Sequence, residues 1–106
     1  MSEPVVVLTT WPASNSHVKE KFLRPLLDER LIACANVFPV MQSVYMWKGE
    51  FCDDNEFQLV LKTTKASVAK LQGRLKELHP YECPEFLVLA ASASSDYAAF
   101  LNKQQE

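Results

Sequence analysis

The residues best suited to chemistry lie together in one short segment, residues 79–85. They are His79, Glu82, Cys83 and Glu85, and two prolines stiffen the segment between them. Imidazole and thiolate groups are ligands for soft or borderline ions such as copper and zinc. We therefore predict a weak metal site at His79, Glu82 and Cys83. The alternative is a rigid helix-to-strand connector whose histidine caps the end of the helix.

Outside this segment the sequence offers little that could support catalysis. The only other histidine, His17, lies in a polar stretch and is expected at the surface. The first strand-to-helix loop lacks the glycines and arginines that cradle phosphate groups. A hydrolase would need a water-activating base, for which only His79, Glu82 and Glu85 are available. We expect a protein that is not an enzyme and has no obligatory cofactor, with Cu(II) or another divalent cation as its candidate ligand.

The composition is that of one ordinary globular domain, residues 1–106. Of the 106 residues 48% are hydrophobic and 23% are charged, so disorder, a fibrous structure and a second core are poor fits. The 11 basic and 13 acidic residues give a net charge of -2, which provides no general attraction to nucleic acid or to anionic membranes. We expect neither as a partner.

The cysteines and the N-terminus bear on the cellular compartment. The three cysteines, Cys34, Cys52 and Cys83, cannot all pair within one molecule. The N-terminal residues lack the basic and apolar regions of a signal peptide, and no apolar run approaches the ~20 residues of a transmembrane helix. We predict a reducing compartment, the cytoplasm, with Cys34 as a buried, inert thiol.

Hydrophobic periodicity predicts four strands and three helices that would position these groups. The strands are predicted at residues 5–8, 31–47, 56–62 and 86–91, and the helices at residues 16–30, 67–79 and 95–103. Pro25 interrupts the first helical pattern, and a proline there costs about 3 kcal/mol in a regular helix, so we expect a kink or a restart. The order β-α-β-β-α-β with a C-terminal helix predicts an α+β, ferredoxin-like fold.

The second predicted strand is apolar on both faces, although this topology places it at the edge of the sheet. Pro39 fits an edge or a bulge, and Lys48-Gly49 predicts the turn of a hairpin. A bare apolar edge invites pairing with another chain, so we expect an oligomer, unless the C-terminal helix folds over the strand. The acidic group that follows the turn is expected to be a solvated tip rather than a cation site. It comprises Glu50, Asp53, Asp54 and Glu56.

Five stretches occur together in a specific combination. They are VVVLTT at residues 5–10, ERLIACANV at 29–37, SVYMWKG at 43–49, LKTT at 61–64 and HPYECPE at 79–85. Together they resemble the CutA family, which is named for divalent-cation tolerance. The resemblance implies a ferredoxin-like fold assembled as a homotrimer, in which the long second and third strands join sheets across subunits. It also implies a shape similar to that of the PII signalling proteins.

For function, the resemblance implies a part in tolerance of copper and other divalent metals rather than a known reaction. In family members that bind copper, the ligands are a cysteine in the first strand and two adjacent histidines before Pro-Tyr. The corresponding residues here are Thr9, Leu78 and His79. The alternative function is that of a PII-like trimeric sensor of small ligands, or a partner-binding protein without a metal role.

The family's shared polar and aromatic positions imply a cleft between subunits. They match Tyr45, Trp47, Lys62, His79, Tyr81, Glu82 and Glu85. A small anionic ligand or a metal-bound ligand would lie in this cleft, where Lys62 and Glu85 would supply opposite charges.

Overall fold

Four antiparallel strands form one sheet, and three helices pack on it. The computed structural model covers residues 1–106. The strands are β1 (Pro4–Pro12), β2 (Cys34–Trp47), β3 (Glu50–Thr64) and β4 (Leu87–Ala90), and they lie side by side in the order β2-β3-β1-β4. The helices are α1 (Lys19–Leu23 continued by Arg24–Asp28), α2 (Val68–Leu78, after a 3-10 turn at Lys65–Ser67) and α3 (Ser95–Gln104). The predicted α+β fold with a four-stranded antiparallel sheet is confirmed.

Pro25 produces a π-helical turn in the first helix. Residues Lys19–Leu23 are π-helical, the N–H of Arg24 donates to the carbonyl of Lys19, and the α-helix resumes over Arg24–Asp28. Because Pro25 has no N–H of its own, the wider turn accommodates the proline without breaking the helix. The irregularity predicted at Pro25 takes this form. None of the three helices combines the length and the apolar character needed to cross a bilayer.

The main core lies between the sheet and helices α1 and α2. Twelve buried apolar residues form it, among them Val7, Trp11, Phe22, Leu26, Leu59, Leu61, Leu71 and Leu75. The rings of Trp11 and Phe22 stack with their centroids 4.9 Å apart, which fixes α1 against β1. Thr9 lies on the same face of β1 and is fully buried, and its Oγ1 has no hydrogen-bond partner.

The hairpin of β2 and β3 is longer than predicted. Lys48 and Gly49 form its turn with positive φ angles of 50° and 82°, and β3 begins at once with Glu50. The acidic residues Asp53 and Asp54 therefore belong to β3, where they pair with β2. The prediction of a solvated acidic tip is wrong for the end of this group, because Glu56 is only 5% exposed.

Strand β2 is an exposed edge strand, as predicted. The register between β2 and β3 shifts between Val37 and Val40, so Pro39 lies in a bulge. The apolar side chains of β2 remain exposed in the single chain, up to 64% for Met46. Helix α3 packs mainly on β3. The alternative prediction, in which the C-terminal helix covers β2, is therefore wrong. Cys34, at the start of β2, is partly exposed rather than buried.

Candidate functional site

A groove with a volume of about 630 Å³ brings together six of the predicted site residues, but neither His79 nor Lys62. It lies between the β2–β3 hairpin and the segment that connects α2 to β4. Six of the predicted residues line it: Tyr45, Trp47, Tyr81, Glu82, Cys83 and Glu85. Side chains alternate along a strand, so Glu56 of β3 points to the face opposite Leu59, which packs under the helices. The groove therefore lies on the face of the sheet that α1 and α2 leave open.

His79 uses both nitrogens of its ring, one to hold the connector to β1 and the other to brace the connector internally. Nε2 lies 2.6 Å from the carbonyl oxygen of Thr10, and Nδ1 accepts the backbone N–H of Tyr81 at 3.1 Å. A neutral ring with its proton on Nε2 makes both bonds. Burial lowers the pKa of His79, although its hydrogen bond to Thr10 and the nearby charge of Glu56 act in the opposite direction. The ring is therefore a neutral structural anchor, and it bonds to β1 and to the connector rather than capping the end of α2, as the connector alternative expected.

The residues predicted to bind a metal do not form a preformed metal site. No three histidine, cysteine, aspartate or glutamate side chains are grouped closely enough to hold an ion. Cys83 is exposed, and the carboxylate of Glu82 lies 3.9 Å from the ammonium group of Lys48 at the turn of the hairpin. Ligation by His79 would require the ring to give up one of its two hydrogen bonds. The metal role of these three residues stays a prediction.

The positions that correspond to the family's other two copper ligands carry side chains without a strong metal-binding group. Thr9 is fully buried in the core, and Leu78 is a partly buried residue packed against the same core. The residues present therefore do not fit a cysteine and two-histidine copper centre.

Glu56 is the functional candidate that sequence reasoning missed. Its Oε2 accepts hydrogen bonds from Thr10 Oγ1 at 3.0 Å and from the Tyr81 hydroxyl at 2.7 Å. Burial and the bond to Glu56 raise the pKa of Tyr81, so its hydroxyl remains a proton donor throughout the physiological range. One signal in the sequence could have identified it. Because side chains alternate along a strand, Glu56 must lie on the face opposite Phe57 and Leu59.

Three further contacts shape the walls of the groove. The Tyr45 hydroxyl donates a hydrogen bond to Asp54, and this bond raises the pKa of Tyr45 to about 12. Gln58 donates to the carbonyl of Thr9 at 2.8 Å and approaches Glu85 Oε2 at 3.4 Å, which holds Glu85 over the sheet.

Lys62 lies outside the groove. Its Nζ is 5.8 Å from the centre of the Tyr97 ring on α3, and it lines a separate hollow beside that helix. The lining of the groove contains Glu56, Glu82 and Glu85 but no lysine or arginine. Within one chain, Lys62 therefore does not lie in the same site as Glu85, and their meeting across a subunit boundary stays a prediction.

Comparison with known proteins identifies relatives over nearly the whole chain. The family model described as "CutA1 divalent ion tolerance protein" matches residues 5–104. The divalent-cation tolerance protein CutA of Thermus thermophilus is 39% identical over 99 residues, which cover 92% of this chain and 94% of the relative.

Solved structures agree with this match. The solved structure of the divalent cation tolerance protein (CutA1) from Thermus thermophilus superposes with a TM-score of 0.88 at 38% identity, covering 97% of this chain and 99% of that one. CutA1 of Pyrococcus horikoshii has a TM-score of 0.86 at 34% identity, covering 96% and 98%. By its sequence and by its fold, this chain belongs to the CutA1 family of divalent ion tolerance proteins.

Proposed function

We propose that this protein acts in divalent-cation tolerance as a cytoplasmic homotrimer that binds divalent cations weakly, copper preferred, and catalyses no reaction. Membership of the CutA1 family supports the tolerance role. The main support for the proposed homotrimer is that β2, an edge strand, exposes apolar side chains and has no strand partner on its outer side.

The exposed surface of the single chain supports self-association. Large apolar side chains are exposed along β2 and also along β4, at the opposite edge of the sheet. Both edges present backbone N–H and C=O groups without a strand partner. Monomeric proteins rarely expose contiguous apolar surface on this scale, whereas subunit interfaces bury it. Copies of this chain joined along these edges would bury both strands.

The chemistry of the connector supports weak rather than tight metal binding. His79 is the only imidazole among the predicted ligands, and a metal ion has to compete with its bonds to Thr10 and Tyr81. Thiolate from the exposed Cys83 and carboxylate from Glu82 are the remaining donors. The position of these three residues on one short connector favours a single site per chain.

Calorimetric titration with Cu(II) tests the metal role. The wild-type protein is compared with His79→Gln, which keeps a donor for Thr10 but lacks the imidazole. Both proteins keep Cys83, which is a proposed ligand, and the titrations are repeated with Zn(II), which has no redox chemistry, because free thiols reduce Cu(II). We expect His79→Gln to bind at least about tenfold more weakly. Equal affinities would exclude His79 from the site.

The second candidate function is that of a PII-like sensor of small ligands. It is favoured by the groove, which unites Tyr45, Trp47 and Tyr81, none of which belongs to a typical metal-ligand set. An anionic ligand there would need Lys62 from a neighbouring subunit. A thermal-shift screen of anionic metabolites on metal-free protein tests this function, and the Lys62→Met variant should lose any shift. The absence of a shift from every compound would count against an anionic ligand.

A further inference from the structure

We propose that Lys62 of one chain enters the groove of a neighbouring chain and forms an ion pair there with Glu56. The pair rests on the homotrimer of the proposed function, and it names the contact that completes each cleft. The carboxylate of a cleft comes from one chain and the ammonium group from the next. The purely acidic lining of the groove is then a property of the single chain, and assembly neutralises part of its charge.

Opposite charges lie on two separate patches of the chain. The lining of the groove contains three carboxylates, Glu56, Glu82 and Glu85, and no basic side chain. The hollow beside α3 is the converse, because Lys62 is the only charged residue in its lining. A closed ring of three identical chains joins two different patches of each chain. The acidic groove and the basic hollow are two patches of complementary charge.

Within one chain, Glu56 and Lys62 cannot meet. Both belong to β3, and they lie on the same face of the strand because an even number of positions separates them. Six residues of extended strand span about 20 Å. Lys62 takes part in none of the ion pairs of the single chain. An ion pair between these two residues therefore requires two chains.

Glu56 has a carboxylate oxygen that is ready for a cation. The residue is 5% exposed, and its Oε2 accepts hydrogen bonds from Thr10 and Tyr81. Its Oε1 accepts none and is not fully enclosed in the single chain. A neighbouring chain that covers the groove takes water away from this oxygen. Burial of a carboxylate is costly unless a cation pairs with it, so the covering surface has to supply one.

The other two carboxylates of the groove already have partners in their own chain. Glu82 lies 3.9 Å from Lys48, and Glu85 Oε2 is approached by the side-chain amide of Gln58 at 3.4 Å. Glu82 is also largely exposed. Among the three, Glu56 is the carboxylate that combines burial with an unused oxygen, which makes it the main partner of the incoming lysine.

Subunit exchange between labelled and unlabelled trimers tests the pair in a double-mutant cycle. Glu56→Gln and Lys62→Met each leave one buried charge without its partner, so each should speed exchange at least about tenfold. The double variant removes both charges and should exchange no faster than either single variant. Two residues that never meet would instead give effects that multiply, to about 100-fold or more in the double variant.

Two control variants accompany the cycle. Lys62→Arg keeps the positive charge and should exchange more slowly than Lys62→Met. Glu77→Gln removes a carboxylate from α2, on the other side of the sheet from the groove. Combined with Lys62→Met, it should give the product of the two single effects.

Carbodiimide coupling of the wild-type trimer identifies the partner of Lys62 without any substitution, so it applies even if Glu56→Gln does not fold. This reagent joins an amine to a carboxylate with which it is in contact. Mass spectrometry should find Lys62 joined to Glu56 in a product that contains two chains. The Lys62→Arg trimer should lose this product, because the guanidinium group is not coupled.

Two results would overturn the inference. One is a pair of independent effects of Glu56→Gln and Lys62→Met that multiply in the double variant. The other is coupling of Lys62 to a different carboxylate, or to none. Sedimentation of the same preparations separates this failure from failure of the proposed function. A trimer without the contact refutes the ion pair alone, whereas a folded species of 12.0 kDa refutes the homotrimer and the ion pair with it.

Discussion

The Nε2 atom of His79 lies 2.6 Å from the carbonyl oxygen of Thr10, so the histidine fastens the α2–β4 connector to β1. β4 pairs with β1 only from Val5 to Leu8, and Thr10 lies beyond that stretch. The connector is thus held to β1 by a side chain where the strand pairing has ended. His79, which was predicted to bind a metal, therefore has a structural role in the connector.

Replacing His79 by alanine should destabilise the fold. The substitution leaves the Thr10 carbonyl without its partner and opens a space beside Trp11 and Phe22, whose rings lie 5.2 and 5.6 Å from the imidazole. We expect a loss of about 2–4 kcal/mol in the free energy of unfolding. Urea denaturation at one fixed protein concentration measures it. His17→Ala at the surface is the control, expected within about 0.5 kcal/mol of wild type. A loss no larger in His79→Ala than in the control would contradict the anchoring role.

Stability should fall in mild acid because of His79. Burial lowers its pKa in the folded protein below the ordinary 6.5, so the unfolded chain binds the proton more readily. The stabilisation is complete above about pH 6.5 and is lost as the pH falls toward the folded-state pKa, with a slope of at most about 1.4 kcal/mol per pH unit. Urea denaturation from about pH 5 to pH 8 measures the slope. His79→Gln should flatten it, and an unchanged slope in that variant would assign the effect to other groups.

The hydrogen bond between Tyr45 and Asp54 should be visible in the titration of tyrosinate. That bond raises the pKa of Tyr45 to about 12. Asp54→Asn removes the carboxylate and should return the pKa toward 10.0, the ordinary value for tyrosine. Ultraviolet absorbance during a pH titration follows the change, and Tyr45→Phe identifies which transition belongs to Tyr45. The same titration curve in Asp54→Asn and wild type would show that the contact does not form.

Thr9→Val should stabilise the protein. The Oγ1 atom of Thr9 is buried without a hydrogen-bond partner, so its removal relieves a desolvation penalty of about 1–2 kcal/mol. Thr63→Val is the matched comparison, because Thr63 Oγ1 is equally buried but donates to the carbonyl of Leu31 at 2.8 Å. Thermal unfolding should move upward for the first variant and downward for the second. A lower melting temperature for both would mean that the Thr9 hydroxyl has a partner in solution.

The features of the fold that could be predicted from the sequence are those that depend on residues close together in the chain. Short apolar runs marked β1 and β4, alternating apolar residues marked β3, and Lys48-Gly49 marked the hairpin turn. Pro39 was predicted at an edge or a bulge and lies in a bulge of an edge strand. Each of these features depends on backbone chemistry within a few residues, which sequence patterns report directly.

The site was only partly predictable because its decisive contacts join distant parts of the chain. Tyr45, Trp47 and Tyr81 share a groove within one chain, whereas the cleft between subunits that the resemblance implied stays a prediction. The burial of Glu56 depends on Thr10 and Tyr81, which are 46 and 25 residues away in sequence. In the sequence, Glu56 is one more acid in an acidic run. The bond of His79 to Thr10 spans 69 residues and is equally invisible to local patterns.

Sedimentation equilibrium of the dilute protein is the most direct test of the central claim, that the bare β2 edge pairs with other copies of this chain. Pairing along that edge predicts a species of about three times the 12.0 kDa of one chain, with the circular dichroism of a folded α+β protein. A well-folded species that sediments at 12.0 kDa would contradict it.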